Sequence, residues 1–427
     1  MDPSLRAELA AALLDARART LAFVEDLPAA ARLGPRLAIV NPPLWEVGHV
    51  AWFAERWLLR HGAGRAPLRA DGDALYDSAA VPHDARWDLP LPSWGETLAF
   101  LRAQLDAAVG LLDRGEADAS LARLTLLHED MHGEAFAYTR QTLGHAAPRL
   151  GVEPAAGGPW PGDAQVPGGS FTLGAPDAEP FAFDNERPPR AVEVAPFAIA
   201  RAAVTQAELA GFAGDGGYAR RELWSDAGWR WRVAAGADAP YAWRSDGAGW
   251  QRRAFDRWVR LEPHRPALHV SWYEADAYCR WARRRLPSEA EWEVAAAAEP
   301  DGQGGLAATR RRYPWGDAPP SAARANLDLW SCGAADVAAH AAGDSAFGCR
   351  QLLGNAWEWT ASDFLPYPGF APGLYREYSE PWFGTHKVLR GGSFATRARL
   401  VTNAYRNFYT PDRRDVWAGF RTCALTP

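Results

Sequence analysis

The chain has 427 residues, 48% of them hydrophobic and 23% charged, with a net charge of −6 and no long run of one sign. That length exceeds what one core usually serves, so two domains are expected, and the mild acidity argues against nucleic acid or an anionic membrane as the main partner. No stretch is apolar for long enough to span a bilayer, the first residues lack the pattern of a signal peptide, and four cysteines without a C-x-x-C pair are too few for a disulfide framework, so a cytoplasmic protein is the expectation.

Residues 4–145 read as helices. Ser4 can cap a first helix that runs to about Glu25. Pro42 and Pro43 suit the first turn of a second, which carries His49 and reaches about Arg60. The connection over residues 62–92 is long and Pro-rich, hence a crossover or a functional loop. Ser93, with Glu96 three residues on, makes a capping box for a third helix. A fourth runs from about Ala117 to Leu143 and stops at Gly144. Four amphipathic helices make a four-helix bundle over residues 1–145, and metal sites form readily between facing helices of a bundle.

Within the fourth helix, residues 128–134 read His-Glu-Asp-Met-His-Gly-Glu. His128 and His132 are four apart, which puts two imidazoles one turn apart on one helix face. His49 offers a third neutral nitrogen from a segment of helical apolar spacing. Three such ligands leave coordination positions open for substrate and dioxygen. Glu134 points roughly 200° away from His132 around the helix. Its place is therefore beside an imidazole N–H as an orienting group, or in solvent.

Residues 146–168 are dense in Gly and Pro and read as a linker. Residues 169–427 form a second domain of different character. Ser170–Leu173 and Ala191–Val194 read as short strands, and helices are expected over about 205–213, 272–284 and 288–297. Most of the 21 tryptophans fall after residue 220, as in a loop-rich fold or in aromatic walls around a ligand. The whole is α+β with little regular structure in its second part.

Six segments of this part carry a resemblance: Pro167-Gly168-Gly169-Ser170-Phe171, Arg285 to Glu293 (Arg-Leu-Pro-Ser-Glu-Ala-Glu-Trp-Glu), Tyr313-Pro314-Trp315-Gly316, Gly354 to Thr360 (Gly-Asn-Ala-Trp-Glu-Trp-Thr), Arg390-Gly391-Gly392-Ser393-Phe394 and Ala418-Gly419-Phe420-Arg421. They resemble the formylglycine-generating-enzyme fold, also called the sulfatase-modifying-factor or C-type-lectin-like fold. The first part, with its H-x-x-x-H-x-E at His128, His132 and Glu134, resembles the DinB-like bundle. The pairing is similar to the non-heme iron sulfoxide synthases of ergothioneine and ovothiol biosynthesis. That resemblance implies Fe(II) held by His49, His128 and His132, with hercynine (Nα-trimethylhistidine), a chalcogen donor and O2 as small-molecule substrates. Formylglycine-generating activity does not carry over, because the reactive cysteine pair is not visible around Ser393–Thr396 or before Cys423.

The resemblance also implies roles for particular residues. Tyr375 stands where the family has a proton or electron donor. Tyr378 stands where a ring packs near the betaine, and an aromatic face attracts a quaternary ammonium. Asn407, Phe408 and Tyr409 match the segment that lines the betaine site. Tyr409 departs from the aspartate common in γ-glutamylcysteine-using members, where an arginine four residues on, here Arg413, holds a carboxylate. Met131 stands where glutamine is frequent, and the loop around Arg86 that brings arginines to the donor is short. These departures suit a neutral, hydroxyl-rich donor and point to the selenoneine-synthase branch, which joins a selenosugar to hercynine. The alternatives are the same chemistry with a thiol donor and, in another class, a non-catalytic metal- and ligand-binding module. Glu358, Gln351 and the carbonyls of Gly354 and Ala356 resemble a structural calcium site, against which stands a plain core motif.

Overall fold

A computed structural model describes residues 1–247 and 249–425. They fall into two compact units that divide between Arg149 and Leu150.

The first unit is helical. Helix α1 (Pro3–Val24) starts where the Asp2 carboxylate accepts the Leu5 N–H at 3.0 Å. Asp2 therefore caps it instead of Ser4, and Pro3 sits in the first turn, where no hydrogen bond is lost. Helix α2 (Ala29–Leu33) is short. Helix α3 (Pro43–Ala54) begins at Pro43 as expected but continues as π-helical turns over Glu55–Gly62. The long connection that follows holds helix α4 (Gly72–Tyr76) and a 3-10 turn, His83–Trp87. Helix α5 (Trp94–Arg114) has the expected capping box: the Glu96 N–H donates to Ser93 Oγ at 3.3 Å and the Ser93 N–H to Glu96 Oε2 at 2.8 Å. Helix α6 (Ala119–Leu143) is capped by Asp118 and stops at Gly144, whose φ of 68° belongs to the left-handed region that glycine adopts without strain.

Helices α1 and α3 each pack against both α5 and α6, closing a four-helix bundle. A buried ion pair sets its register. Arg17 on α1 donates from Nε to Glu129 Oε1 on α6 at 2.8 Å, and its other nitrogens reach the Leu101 carbonyl and Gln104 on α5. Removing one partner of such a pair strands a buried charge, at a cost of about 3–5 kcal/mol. Glu129 directly follows His128, so this pair fixes the rotation of the turn that carries the histidine.

The second unit is built from short strands and helices. Its first strands are β1 (Asp163–Val166), β2 (Gly169–Leu173), β3 (Arg190–Val194) and β4 (Phe197–Ala200). Helices α7 (Gln206–Gly214) and α8 (Asp226–Ala234) follow, then strands β5 (Trp243–Ser245), β6 (Trp250–Ala254) and β7 (Arg257–Arg260). After helix α9 (Trp272–Trp281) come β8 (Arg284–Arg285), helix α10 (Glu289–Ala297), β9 (Ala298–Pro300) and β10 (Leu306–Arg310). The chain closes with β11 (Trp357–Asp363), β12 (Lys387–Arg390), β13 (Asn407–Tyr409), β14 (Ala418–Gly419) and β15 (Cys423–Ala424). The two four-stranded sheets have the orders β1-β4-β15-β8 and β13-β12-β11-β14.

Two expectations change here. From Leu150 on, the stretch read as a linker is part of the second unit: residues 163–166 pair with β4, and Val152 bridges to Ser331. Its Gly and Pro residues shape bonded loops and not a free spacer. The helix expected to reach residue 284 stops at Trp281, because Arg284–Arg285 pair with β15.

Trp292 of α10 is the centre of the second unit's core, fully buried with Leu173, Ile199, Leu352 and Cys423. Its indole N–H donates to Glu358 Oε2 at 2.8 Å. Arg421 grips the same carboxylate with two bonds of 2.6 and 2.7 Å. The carboxylate that a calcium site would need is thus neutralised by a buried guanidinium, and Gln351 donates to the carbonyls of Asp336 and Ala339. The calcium reading is withdrawn, since a cation would have to displace Arg421. Among the described residues no disulfide joins the cysteines; Cys279, Cys349 and Cys423 are buried and Cys332 is partly exposed. Burial pushes the Cys349 thiol up to about 11 and that of Cys423 up to about 12, and raises Cys279 as well. Among the described residues, no helix is long and apolar enough to cross a membrane.

Candidate metal centre

The metal-ligating side chains come together inside the first unit. His49 on α3 and His128 and His132 on α6 each offer one ring nitrogen, and the three nitrogens lie within 4.8 Å of one another. His49 and His128 are buried, each 3% exposed. Burial, followed by the charge His132 would carry, holds both well below the usual imidazole value, so both are neutral.

The tautomers are set by neighbours. His49 Nδ1 lies 2.8 Å from the Tyr76 carbonyl, which can only accept, so Nδ1 carries the proton. His132 Nδ1 lies 2.6 Å from Glu46 Oε1, and a carboxylate partner likewise demands an N–H there. In both rings Nε2 is left with its lone pair, as a metal ligand requires. Aromatic rings lock the imidazoles. Trp45 stacks on His49 at 4.9 Å and 10°, and Phe53 stacks on His128 at 3.5 Å and 4°. A nitrogen-only donor set, with His49 and His128 buried and neutral and His132 partly exposed, fits a divalent first-row metal with positions left for other ligands.

Glu46 and Tyr76 were not singled out by the sequence. Glu46 lies three residues before His49 on the same helix face, and that spacing was the available signal. The Tyr76 contact depends on Gly48: a Cβ there would lie 2.3 Å from the Tyr76 ring, so only glycine lets the connection come this close to α3. Glu134 is buried on α6, at 7% exposure. The carboxylate bonded to His132 is that of Glu46. Met131 is half-buried between the two α6 histidines. Arg86 donates to Asn41 Oδ1 at 2.7 Å and lies 4.0 Å over the Trp45 ring, which places it in the wall behind His49.

Replacing Glu46 with alanine is expected to lower divalent-metal affinity roughly tenfold to a hundredfold, the usual effect of losing a partner of a ligating histidine. Chelator competition measures it, and unaltered affinity would show that Glu46 does not orient His132.

The aromatic residues singled out by the sequence gather in the second unit. Tyr378 Oη lies 3.1 Å from Tyr405 Oη, and its ring lies 4.4 Å from Phe183, 5.5 Å from Phe408 and 5.9 Å from Tyr375. Burial, reinforced by Tyr405, raises the Tyr378 phenol well above its usual value, so it stays protonated. Phe408 also stacks on Phe364 at 4.0 Å. Asn407, Phe408 and Tyr409 form β13, and Asn407 Oδ1 accepts the Phe408 N–H at 2.8 Å. Arg413 holds Asp415 with two bonds of 2.6 Å and lies 5.0 Å from the Tyr409 ring centre. Phe183 and Tyr405 also belong to this cluster; Phe183 lies far from the other rings in sequence, and Tyr405 lies two residues before Asn407 without a motif of its own to mark it.

Comparison with known proteins agrees with this division. Residues 12–147 match the DinB superfamily, and residues 151–425 match the sulfatase-modifying factor enzyme 1-like domain. A formylglycine-generating enzyme from Thermomonospora curvata is 33% identical over 62% of this chain and 94% of its own. The hercynine oxygenase of Mycolicibacterium smegmatis is 39% identical, covering 97% of this chain and 98% of that protein. That of Mycolicibacterium thermoresistibile is 42% identical over 97% of this chain and 94% of its own. Matched to both hercynine oxygenases along nearly its whole length and across both units, the chain belongs to the hercynine oxygenase family.

Proposed function

We propose that the protein is a non-heme Fe(II) oxygenase that joins C2 of the hercynine imidazole to the selenium of a selenosugar. The observation that carries the oxygenase reading is the cluster of His49, His128 and His132, the first two of them buried. Bound there, Fe(II) would supply dioxygen binding and the oxidising capacity that C–Se bond formation needs. The balanced reaction takes one imidazole C–H, one Se–H and O2 to a C–Se(=O) product and water. Hercynine is the substrate named for the full-length relatives.

The chain's own residues then divide the work. Tyr375 lends a proton or an electron during the oxidation and recovers it before the turnover ends. Tyr378 and Phe408 face the trimethylammonium group with aromatic rings, and Asn407 bonds the carboxylate. Glu134 orients an imidazole. Met131 and Arg86 in the first unit, and Tyr409 and Arg413 in the second, are the residues that match the family's donor-binding positions. The donor assignment rests on charge. An amino-acid thiol needs a carboxylate for its ammonium and free guanidinium groups for its carboxylates. Here Tyr409 stands where the ammonium partner would be, while Arg413 is neutralised by Asp415 and Arg86 is bonded within the first unit. A sugar asks only for neutral hydrogen-bond partners.

The test supplies enzyme loaded anaerobically with Fe(II), then hercynine, O2 and a mixture of glycosyl selenol, γ-glutamylcysteine and cysteine. Mass spectrometry of the product should show a hercynine–selenosugar adduct. A sulfur adduct would move the protein to the ergothioneine or ovothiol branch. No hercynine-dependent O2 uptake with any donor would leave a non-catalytic binding module.

A further inference from the structure

Tyr375 and Tyr378 lie in a segment with almost no regular structure. Between β11 and β12 the chain makes only two 3-10 turns, Arg376–Tyr378 and Glu380–Trp382. Such a segment has no ladder of its own to hold two rings at fixed positions. A distant carboxylate holds it at two points. Asp184 Oδ2 accepts the Gly373 N–H at 3.0 Å, and Asp184 Oδ1 accepts the Ser379 hydroxyl. One side chain therefore grips the segment just before Tyr375 and just after Tyr378.

The grip is itself anchored. Ser379 is fully buried, and its Oγ accepts from Asn185 Nδ2 at 3.0 Å. The Asn185 carbonyl accepts from Arg406 Nη1 at 2.6 Å, and Arg406 is paired with Glu289 of α10 in the core. The turn is closed by Glu186, whose Oε1 accepts the Phe183 N–H at 3.1 Å. The same turn presents the Phe183 ring to Tyr378 and Tyr405. Asp184 thus lies on a continuous chain of bonds from the core to both ends of the tyrosine segment.

We propose that Asp184, with Ser379, is a positioning residue that sets where Tyr375 and Tyr378 stand during the reaction. The functional half of this rests on the reading of Tyr375 as a donor; the structural half does not. Displacing a reacting group by about 1 Å costs on the order of a hundredfold in rate. Asp184→Ala removes both bonds. Asp184→Asn keeps one acceptor oxygen and turns the other into a donor. Ser379→Ala cuts one arm and leaves the Gly373 bond.

The experiment combines amide hydrogen exchange with steady-state kinetics on the iron-loaded full chain. Exchange over residues 372–383 should speed up in Asp184→Ala and less in Ser379→Ala, with the peptides of β11 and β12 unchanged. The kcat for hercynine should fall roughly tenfold to a hundredfold in Asp184→Ala, with partial rescue in Asp184→Asn. In a Tyr375→Phe background, Asp184→Ala should cost clearly less in kcat than it does in the parent, because only its effect through Tyr378 is left. Unchanged exchange overturns the latch. Faster exchange with unchanged kcat, or full additivity with Tyr375→Phe, overturns the positioning role. A Tyr375→Phe enzyme as fast as the parent would reject the donor reading and leave the exchange result to decide whether the latch exists. If Asp184→Ala unfolds the unit, Ser379→Ala gives the same readouts.

Discussion

His128→Ala is expected to leave the protein folded and nearly free of bound iron, with turnover lost by more than the roughly hundredfold that removal of an outer partner costs. The ring supplies one of three nitrogens in the cluster and has no substitute nearby: among the described residues, no other group of three histidine, cysteine or carboxylate side chains comes together in this way. Its removal also opens a gap beside Phe53, whose ring lies 3.5 Å away. Cavities of that kind cost a few kcal/mol. The first unit should therefore melt earlier while the Arg17–Glu129 pair still holds α6 in place. Metal content after anaerobic loading and desalting, with circular dichroism on the same sample, separates loss of iron from loss of fold. His132→Ala and His49→Ala should behave alike. Stoichiometric iron in His128→Ala would place the metal elsewhere.

The second large effect concerns the donor. The parent enzyme should prefer a glycosyl selenol over γ-glutamylcysteine by about a hundredfold or more in kcat/KM, the range reached when a pocket leaves a charged group unpaired. Tyr409→Asp should erode that preference at least tenfold, by giving a donor ammonium the partner it lacks and by removing the ring beside the Arg413 guanidinium. Both donors must be measured on one iron-loaded preparation. Equal or better turnover of γ-glutamylcysteine by the parent would reject the selenosugar assignment while leaving the oxygenase reading intact.

How much of this was legible in sequence depended on range. The capping box of Ser93 and Glu96, the stop at Gly144 and the one-turn spacing of His128 and His132 are local, and the structure has each where the sequence puts it. The proline start of α3 was equally local, but its passage into π-helical turns at Glu55 was not visible in composition. Helix α8 was missed because Asp226–Ala234 mixes Gly, Trp and Arg without an apolar period. Contacts between distant residues were out of reach. The Glu46–His132 bond, the Arg421–Glu358 pair that overturned the calcium reading and the Asp184–Ser379 latch each join residues dozens to hundreds of positions apart. A resemblance supplied candidate residues in the second unit, but it gave no account of what holds them.

The thiols carry a practical consequence. Three of the four are buried in the second unit, where burial raises the thiols and disfavours the nucleophilic thiolate. The same sealing turns Cys279, Cys349 and Cys423 into an internal clock. An alkylating reagent labels the native protein at Cys332 first, and the other three become labelled only as fast as the core itself opens.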